Sequence, residues 1–93
     1  MNNNPRLSNK YGLVSNTVMR DPDVSLRAKG LYSYLATYAD SNNELHVGID
    51  KMAAENGMTQ SSVKRFLKEL KDKGIIRRIK RGKDTSYKTI LIK

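Results

Sequence analysis

The sequence predicts a small α+β domain with three helices, a C-terminal β-hairpin and a short strand near the N-terminus. Two segments place apolar residues at helical spacing, and the last segment carries alternating β-branched residues on both sides of a turn. A length of 93 residues with a hydrophobic fraction of 38% suits one small core and disfavours a large catalytic cleft. We therefore expect a single domain over residues 11–93, preceded by a flexible tail over residues 1–10.

The N-terminal part of the domain is expected to hold the strand and the first helix. Residues 11–19 contain β-branched residues in loose alternation, which favours a short strand. Ser25 can cap a helix, because its hydroxyl can accept a hydrogen bond from an early backbone N–H. Apolar residues then recur at i, i+3, i+4 and i+7: Leu31, Tyr34, Leu35 and Tyr38. This spacing predicts a helix over residues 25–39 with Tyr34 and Tyr38 in the core.

Two more helices follow with little chain between them. Residues 49–56 form the first, and Gly57 ends it, since glycine readily adopts the left-handed conformation found beyond helix C-termini. Thr59 can cap the second helix, which we expect over residues 59–73 with Gly74 just beyond it. Its apolar residues again have helical spacing: Val63, Phe66, Leu67 and Leu70.

The remaining residues predict a β-hairpin over residues 75–92, with its turn around Gly82. Alternation groups four of its side chains on one side: Ile75, Arg77, Ile79 and Arg81. Strands this short leave the register open, and with it the question of which arginines face outward. Residues 45–47 can supply one further short strand.

The positive charge is concentrated in the C-terminal third. Eighteen Lys and Arg against nine acids give a net charge of +9, and residues 1–58 hold six of each sign. The whole excess therefore lies in residues 59–93, and such a field attracts polyanions, with nucleic acid as the first candidate. The alternative is a solvated helix face with a basic tail that keeps the protein in solution. An acidic membrane surface is a weaker candidate, because the apolar stripe is narrow and contains only one Phe.

Two helices joined by a short turn with glycine, followed by a basic hairpin, are the layout of a winged helix-turn-helix. The stretch IDKMAAENGMTQSSVKRFLKEL resembles the helix-turn-helix family pattern, whose positions are occupied here by Ala53, Gly57, Val63 and Phe66. Together with SLRAKGLYSYL before it and KGIIRRIKR after it, residues 11–92 resemble the N-terminal winged-helix domains of replication initiators and replisome organisers from Gram-positive plasmids and phages. Those larger proteins continue beyond the wing, whereas this chain ends there, so we expect no second domain.

Thirteen polar residues are candidates for contact with DNA. The helix over residues 59–73 would enter the major groove with its N-terminus first, and the hairpin would lie on the backbone or in the minor groove. Gln60 and Arg65 are the candidate base readers, because Gln pairs with adenine and Arg with guanine through two hydrogen bonds, while Lys64 and Lys68 suit phosphate. The full set is Thr59, Gln60, Ser61, Ser62, Lys64, Arg65, Lys68, Lys80, Arg81, Lys83, Thr85, Ser86 and Lys88.

Several of these assignments have a structural alternative. Ser61 and Ser62 can serve the N-terminal cap of the helix, and Arg65 can pair with Glu69 one turn away. The hairpin lysines can protect an exposed sheet edge from pairing with another chain. His46 is the only histidine, and without cysteine we expect it to be structural or partly exposed rather than a metal ligand.

The sequence offers no feature of an enzyme. It has no nucleophile and base pair, no phosphate-binding glycine loop and no metal-ligand cluster, so we expect neither catalysis nor a cofactor. It also has no apolar run long enough to span a membrane and no export signal, which predicts a cytoplasmic protein.

These observations predict a sequence-specific double-stranded DNA-binding protein that acts in plasmid or phage replication, conjugation or transcription control. The alternative is a protein-interaction adaptor, a winged helix whose basic face meets an acidic protein in a replication or conjugation complex. RNA is less favoured, because the deep, narrow major groove of A-form RNA does not admit a helix. One reading helix covers few base pairs, so a homodimer on repeated sites is an open alternative to a monomer.

Overall fold

The computed structural model describes residues 11–82 and 87–93. Its elements are α1 (Asn16–Met19), α2 (Leu26–Ala36), β1 (Glu44–Leu45), α3 (Ile49–Asn56), α4 (Gln60–Asp72), β2 (Ile76–Lys80) and β3 (Tyr87–Leu91). The three strands form one antiparallel sheet in the order β1-β3-β2. This architecture confirms the predicted α+β winged helix-turn-helix, with α3 and α4 as the helix pair and with β2 and β3 as the wing.

The predicted N-terminal strand is wrong, since α1 occupies the end of that segment. The hydroxyl of Ser15 caps α1 by accepting from the backbone N–H of Val18, and Val18 is only 2% exposed. Leu13 and Val14, in contrast, are both exposed, so the segment lacks the alternate burial of a strand that packs on a core. One helical turn buries Val18 and leaves the preceding residues extended.

The core stripe of α2 differs from the predicted one. Its buried residues are Ala28, Leu31, Tyr32, Leu35 and Ala36. Tyr34 is half-buried and Tyr38 is exposed, and the hydroxyls of both donate to Oε1 of Glu55 on α3, at 2.5 and 2.6 Å. The two alanines belong to the buried stripe, which therefore lies on the side of the helix that contains Tyr32. The prediction that Tyr34 and Tyr38 lie in the core was therefore wrong for Tyr38 and confirmed in part for Tyr34, which is half-buried and packs against the core. The fully buried tyrosine of α2 is Tyr32.

Tyr32 ties the two ends of the described chain together. Its hydroxyl accepts from the backbone N–H of Ser15 at 2.9 Å and donates to the backbone carbonyl of Lys93 at 2.8 Å. The ring itself is 1% exposed. Both hydrogen bonds join segments that are distant in sequence, so they hold the N-terminal segment and the end of the sheet against α2.

We expect Tyr32→Phe to lower the free energy of unfolding by about 1–3 kcal/mol, because two hydrogen bonds worth about 0.5–1.5 kcal/mol each are lost. Urea denaturation followed by circular dichroism measures the change. Tyr11→Phe is the matched control, since Tyr11 is exposed and the same change there should stay within about 0.5 kcal/mol. Equal midpoints for the two variants would contradict this role of Tyr32.

The turn between α3 and α4 forms as the sequence predicts. Gly57 ends α3 with φ of 61°, a left-handed conformation that favours glycine. Thr59 then caps α4, its hydroxyl oxygen accepting from the backbone N–H of Ser62 at 3.1 Å. The two caps fix the direction in which α4 leaves the turn.

The register of the wing settles which side chains face the core. Residues directly opposite each other share a face, and Arg78 pairs with Thr89 while Lys80 pairs with Tyr87. Thr89 is completely buried, so these four residues belong to the inner face. Arg77 and Ile79 share the opposite, exposed face, which agrees with their predicted grouping. The other two members of that group differ from the prediction, since Ile75 precedes β2 and is buried, and Arg81 follows β2 and lines a cleft together with Arg78. The inward arginine of the wing is therefore Arg78.

No helix within residues 11–82 and 87–93 is long and apolar enough to cross a membrane.

Candidate nucleic-acid interface

Helix α4 is divided sharply between a core face and a solvent face. Its apolar residues are buried against α2, α3 and the wing: Val63, Phe66, Leu67 and Leu70. The exposed side chains on the other side include five of the predicted DNA-contacting residues: Gln60, Ser61, Lys64, Arg65 and Lys68. Because the core face is fixed by burial, the polar face is held in a defined orientation.

Two predicted contact residues serve the cap of α4 instead of pointing freely to solvent. Thr59 Oγ1 lies 3.0 Å from the hydroxyl of Ser62, in addition to accepting from the Ser62 backbone N–H. Ser62 is half-buried, whereas Ser61 is exposed. The capping alternative therefore applies to Ser62, and Ser61 is the serine that the helix presents to a partner.

Arg65 does not pair with Glu69. The Glu69 carboxylate accepts from the backbone N–H of Ser25 at 2.8 Å and from the Ser25 hydroxyl at 2.9 Å, which joins the start of α2 to α4. The hydrogen bond from the Ser25 N–H lowers the pKa of the Glu69 carboxyl. The Arg65 guanidinium lies instead over the ring of Phe66, 4.9 Å from its centroid. Within the described residues no carboxylate forms an ion pair with Arg65.

The two lysines on this face differ in their surroundings. Lys68 forms an ion pair with Asp72 at 2.7 Å, but its side chain is 72% exposed. Such a surface pair is worth at most about 1 kcal/mol, so a phosphate can displace the carboxylate at little cost. Lys64 forms no ion pair with any residue the structure describes, and it lies on the side of α4 that faces the wing.

The predicted contact residues of the wing are spread over different faces. Lys80 and Arg81 are exposed near the end of β2. Lys88 lies on the outer face of β3 and forms an ion pair with Glu44 of β1 at 3.6 Å, so it does not converge with α4. The remaining three predicted residues lie outside the described residues: Lys83, Thr85 and Ser86.

A cleft of about 320 Å³, which we call the wing cleft, separates the N-terminal half of α4 from the wing. Its cationic lining consists of Lys64, Arg78 and Arg81, and none of its lining residues within 11–82 and 87–93 carries a carboxylate. The remaining lining residues are His46, Val47, Gly48, Ile49, Gln60 and Tyr87. The wing cleft therefore brings predicted residues from α4 and from the wing around one cationic concavity.

Three residues that line the wing cleft are not among the DNA-contacting residues that the sequence predicts: Arg78, Tyr87 and His46. Arg78 lies over the ring of Tyr87, with its guanidinium 4.6 Å from the ring centroid. His46 Nδ1 lies 3.4 Å from Nη1 of Arg81, where the imidazole nitrogen accepts and the guanidinium donates. The only sequence signal for Arg78 and Tyr87 was the pairing register of the hairpin, which two short strands do not specify.

The described residues contain no group of three or more His, Cys, Asp or Glu side chains that could hold a metal ion.

A family model described as a helix-turn-helix domain matches residues 25–76, more than half of the chain. The matched region begins at Ser25, the cap of α2, and ends at Ile76, the first residue of β2, so it contains the whole of α3 and α4. No curated protein and no solved structure matches the chain.

Proposed function

Because the chain belongs to the family of helix-turn-helix domains, which bind DNA, we propose that it reads specific sequences in double-stranded DNA with α4 in the major groove. The observation that carries the proposal is the division of α4. One face is buried in the core, while the opposite face presents exposed amide, hydroxyl and cationic side chains next to the cationic wing cleft. An α-helix of this kind fits the width of the B-DNA major groove.

The residues of α4 have different roles in this proposal. Gln60 stands at the first turn and Arg65 on the outward face, so we assign both to base edges, with Ser61 between them as a further donor and acceptor. Lys64 and Lys68 are one helical turn apart and neutralise phosphates. Thr59 and Ser62 contribute to binding indirectly, because they stabilise the N-terminus of α4.

The wing contributes affinity for the DNA backbone rather than recognition of the base sequence. We propose that Lys80 and Arg81, both exposed at the end of β2, contact phosphates or the minor groove beside the reading site. The proposal for Lys83, Thr85 and Ser86 rests on the sequence alone. Lys88 contributes less to DNA binding, because it lies on the outer face of the wing and forms an ion pair with Glu44.

The biological setting of this binding is also a proposal. The resemblance of residues 11–92 to winged helices of replication initiators favours a role in plasmid or phage replication, with conjugation and transcription control as the other DNA-based processes that such a domain serves. We propose that residues 11–93 act as one domain and bind as a homodimer on repeated sites, because one α4 covers few base pairs.

A titration with duplex DNA of mixed sequence in about 50 mM salt tests the proposal, because phosphate contacts alone give measurable binding under these conditions. We expect retardation of the duplex in a gel, and we expect matched duplex RNA to compete less well than duplex DNA. No retardation of any duplex, combined with capture of an acidic protein partner, would contradict the proposal and favour the adaptor. Equal competition by RNA would contradict reading in the major groove.

A further inference from the structure

The positively charged guanidinium of Arg78 is only partly exposed to water. It lies in the middle of β2 on the inner face, opposite the completely buried Thr89, and its guanidinium stacks on Tyr87. Its Nε atom is buried and has no hydrogen-bond partner among the described residues. Burial lowers the pKa of the Arg78 guanidinium, which reflects the cost of removing its charge from water.

The described lining of the wing cleft adds positive charge around Arg78. Lys64 and Arg81 line the same cleft, and the described residues place no carboxylate in its wall. Three cations around one concavity repel each other, and this repulsion is relieved when an anion occupies the space between them. The wing cleft thus has the electrostatics of a preformed anion site.

We propose that the wing cleft binds one phosphodiester group of a DNA strand and that Arg78 is its central ligand. The proposal rests on the proposed function, and it adds a residue and a binding cleft that the sequence did not indicate. The planar guanidinium fork matches two phosphate oxygens, and the Tyr87 ring fixes the plane of the fork before binding. Less side-chain freedom is therefore lost when the phosphate arrives.

The size and position of the cleft favour a DNA strand over a free anion. Its volume of about 320 Å³ exceeds that of a phosphate group, and part of its wall is apolar, formed by Val47 and Ile49. A sugar next to the phosphate can contact this apolar part. The cleft also lies between α4 and the wing, where a strand must pass if α4 enters the major groove and the wing contacts the adjacent backbone.

The neighbouring arginine provides a matched control. Arg77 precedes Arg78 in β2 and carries the same charge, but it lies on the exposed outer face, away from the wing cleft. Arg77→Ala and Arg78→Ala therefore change the net charge of the protein equally. A difference in DNA binding between them measures the contact made inside the cleft.

The test compares both variants with the wild type in fluorescence anisotropy titrations of specific and random duplexes at several salt concentrations. For Arg78→Ala we expect about a tenfold or greater loss on both duplexes, and a salt slope that is shallower by about 0.9, as for the loss of one phosphate contact. Arg77→Ala should keep the wild-type slope. Arg78→Lys should recover only part of the loss, because an ammonium keeps the charge without the fork.

A phosphate titration separates a contact from a defect in folding. Addition of inorganic phosphate, and in a second arm of a free deoxynucleoside monophosphate, should shift the NMR signals of Arg78 and Tyr87 in the wild type. Arg78→Lys, with its fold checked by circular dichroism, should show smaller shifts at Tyr87. Tight saturation by the free nucleotide with loss of duplex binding would overturn the assignment to a DNA strand and identify a nucleotide site.

The outcomes for the two proposals are distinct. Equal losses of affinity for Arg77→Ala and Arg78→Ala, with wild-type binding intact, would overturn the cleft assignment and leave the proposed function standing. A wild type that binds no duplex at all would overturn the proposed function itself.

Discussion

The affinity for duplex DNA is expected to fall by about a thousandfold or more between about 50 and 200 mM salt, because neutralised phosphates release condensed counterions. The proposed contacts neutralise about five to eight phosphates, which corresponds to a slope of about −5 to −7 for log K against log salt. Exposed cations on α4 and the wing supply these contacts: Lys64, Lys68, Lys80 and Arg81, with Arg78 inside the wing cleft. Anisotropy titrations at five salt concentrations measure the slope.

Lys68→Ala is an internal check on this interpretation, since the loss of one phosphate contact should reduce the slope by about one. The small cost of breaking the exposed ion pair between Lys68 and Asp72 leaves the fold unaffected. A wild-type slope close to zero would mean that phosphate contacts do not drive binding, and it would count against the whole interface.

Replacing Arg65 with alanine is expected to cost about 1–3 kcal/mol on the preferred site and little on random duplex. The reason is that a base contact is made only on the right sequence, whereas the exposed Arg65 side chain gives the fold only its contact with the Phe66 ring. The Arg65 guanidinium is free of Glu69, whose carboxylate is held by Ser25, so its removal breaks no ion pair among the described residues.

Lys80→Ala provides the comparison for Arg65→Ala, because an exposed wing lysine should contribute equally on every sequence. Affinities for one preferred and one random duplex, measured at the same salt concentration, give the ratio for each variant. Equal losses on both duplexes for both variants would remove the distinction between a reading residue and a phosphate residue.

Helices α3 and α4 could be predicted because their apolar spacing and their caps agree. The spacing from Val63 to Leu70 and the cap at Thr59 both point to α4, and the structure has Gly57 and Gly74 in the left-handed conformations that end α3 and follow α4. The family match over residues 25–76 supports the same helix pair. Apolar spacing and cap residues are local signals, because each lies at the same place in the sequence as the helix feature it determines.

Features that depend on distant partners could not be predicted. The short α1 forms where a strand was expected, because burial of Val18 against the core outweighs a weak alternation. Glu69 binds Ser25, which is 44 residues away, instead of its helical neighbour Arg65. Neither outcome is encoded in spacing along a single element.

In the candidate site, too, the features that depend on distant partners could not be predicted. The exposed face of α4 follows from the helical spacing, so Gln60, Lys64 and Arg65 could be named in advance. The wing cleft depends on the register of β2 and β3, in which a shift by one residue exchanges Arg77 for Arg78. The hairpin pattern left this register open, and Arg78 therefore became a candidate only when the strand pairing was known.

Selection of bound duplexes from a random pool, performed in parallel with wild type and Arg65→Ala, tests the central claim most directly. If α4 reads bases in the major groove, the wild type enriches a defined motif, and Arg65→Ala loses the preference at one position while it keeps the others. A pool that shows no enriched motif with the wild type, or the same motif at every position with the variant, would contradict the claim.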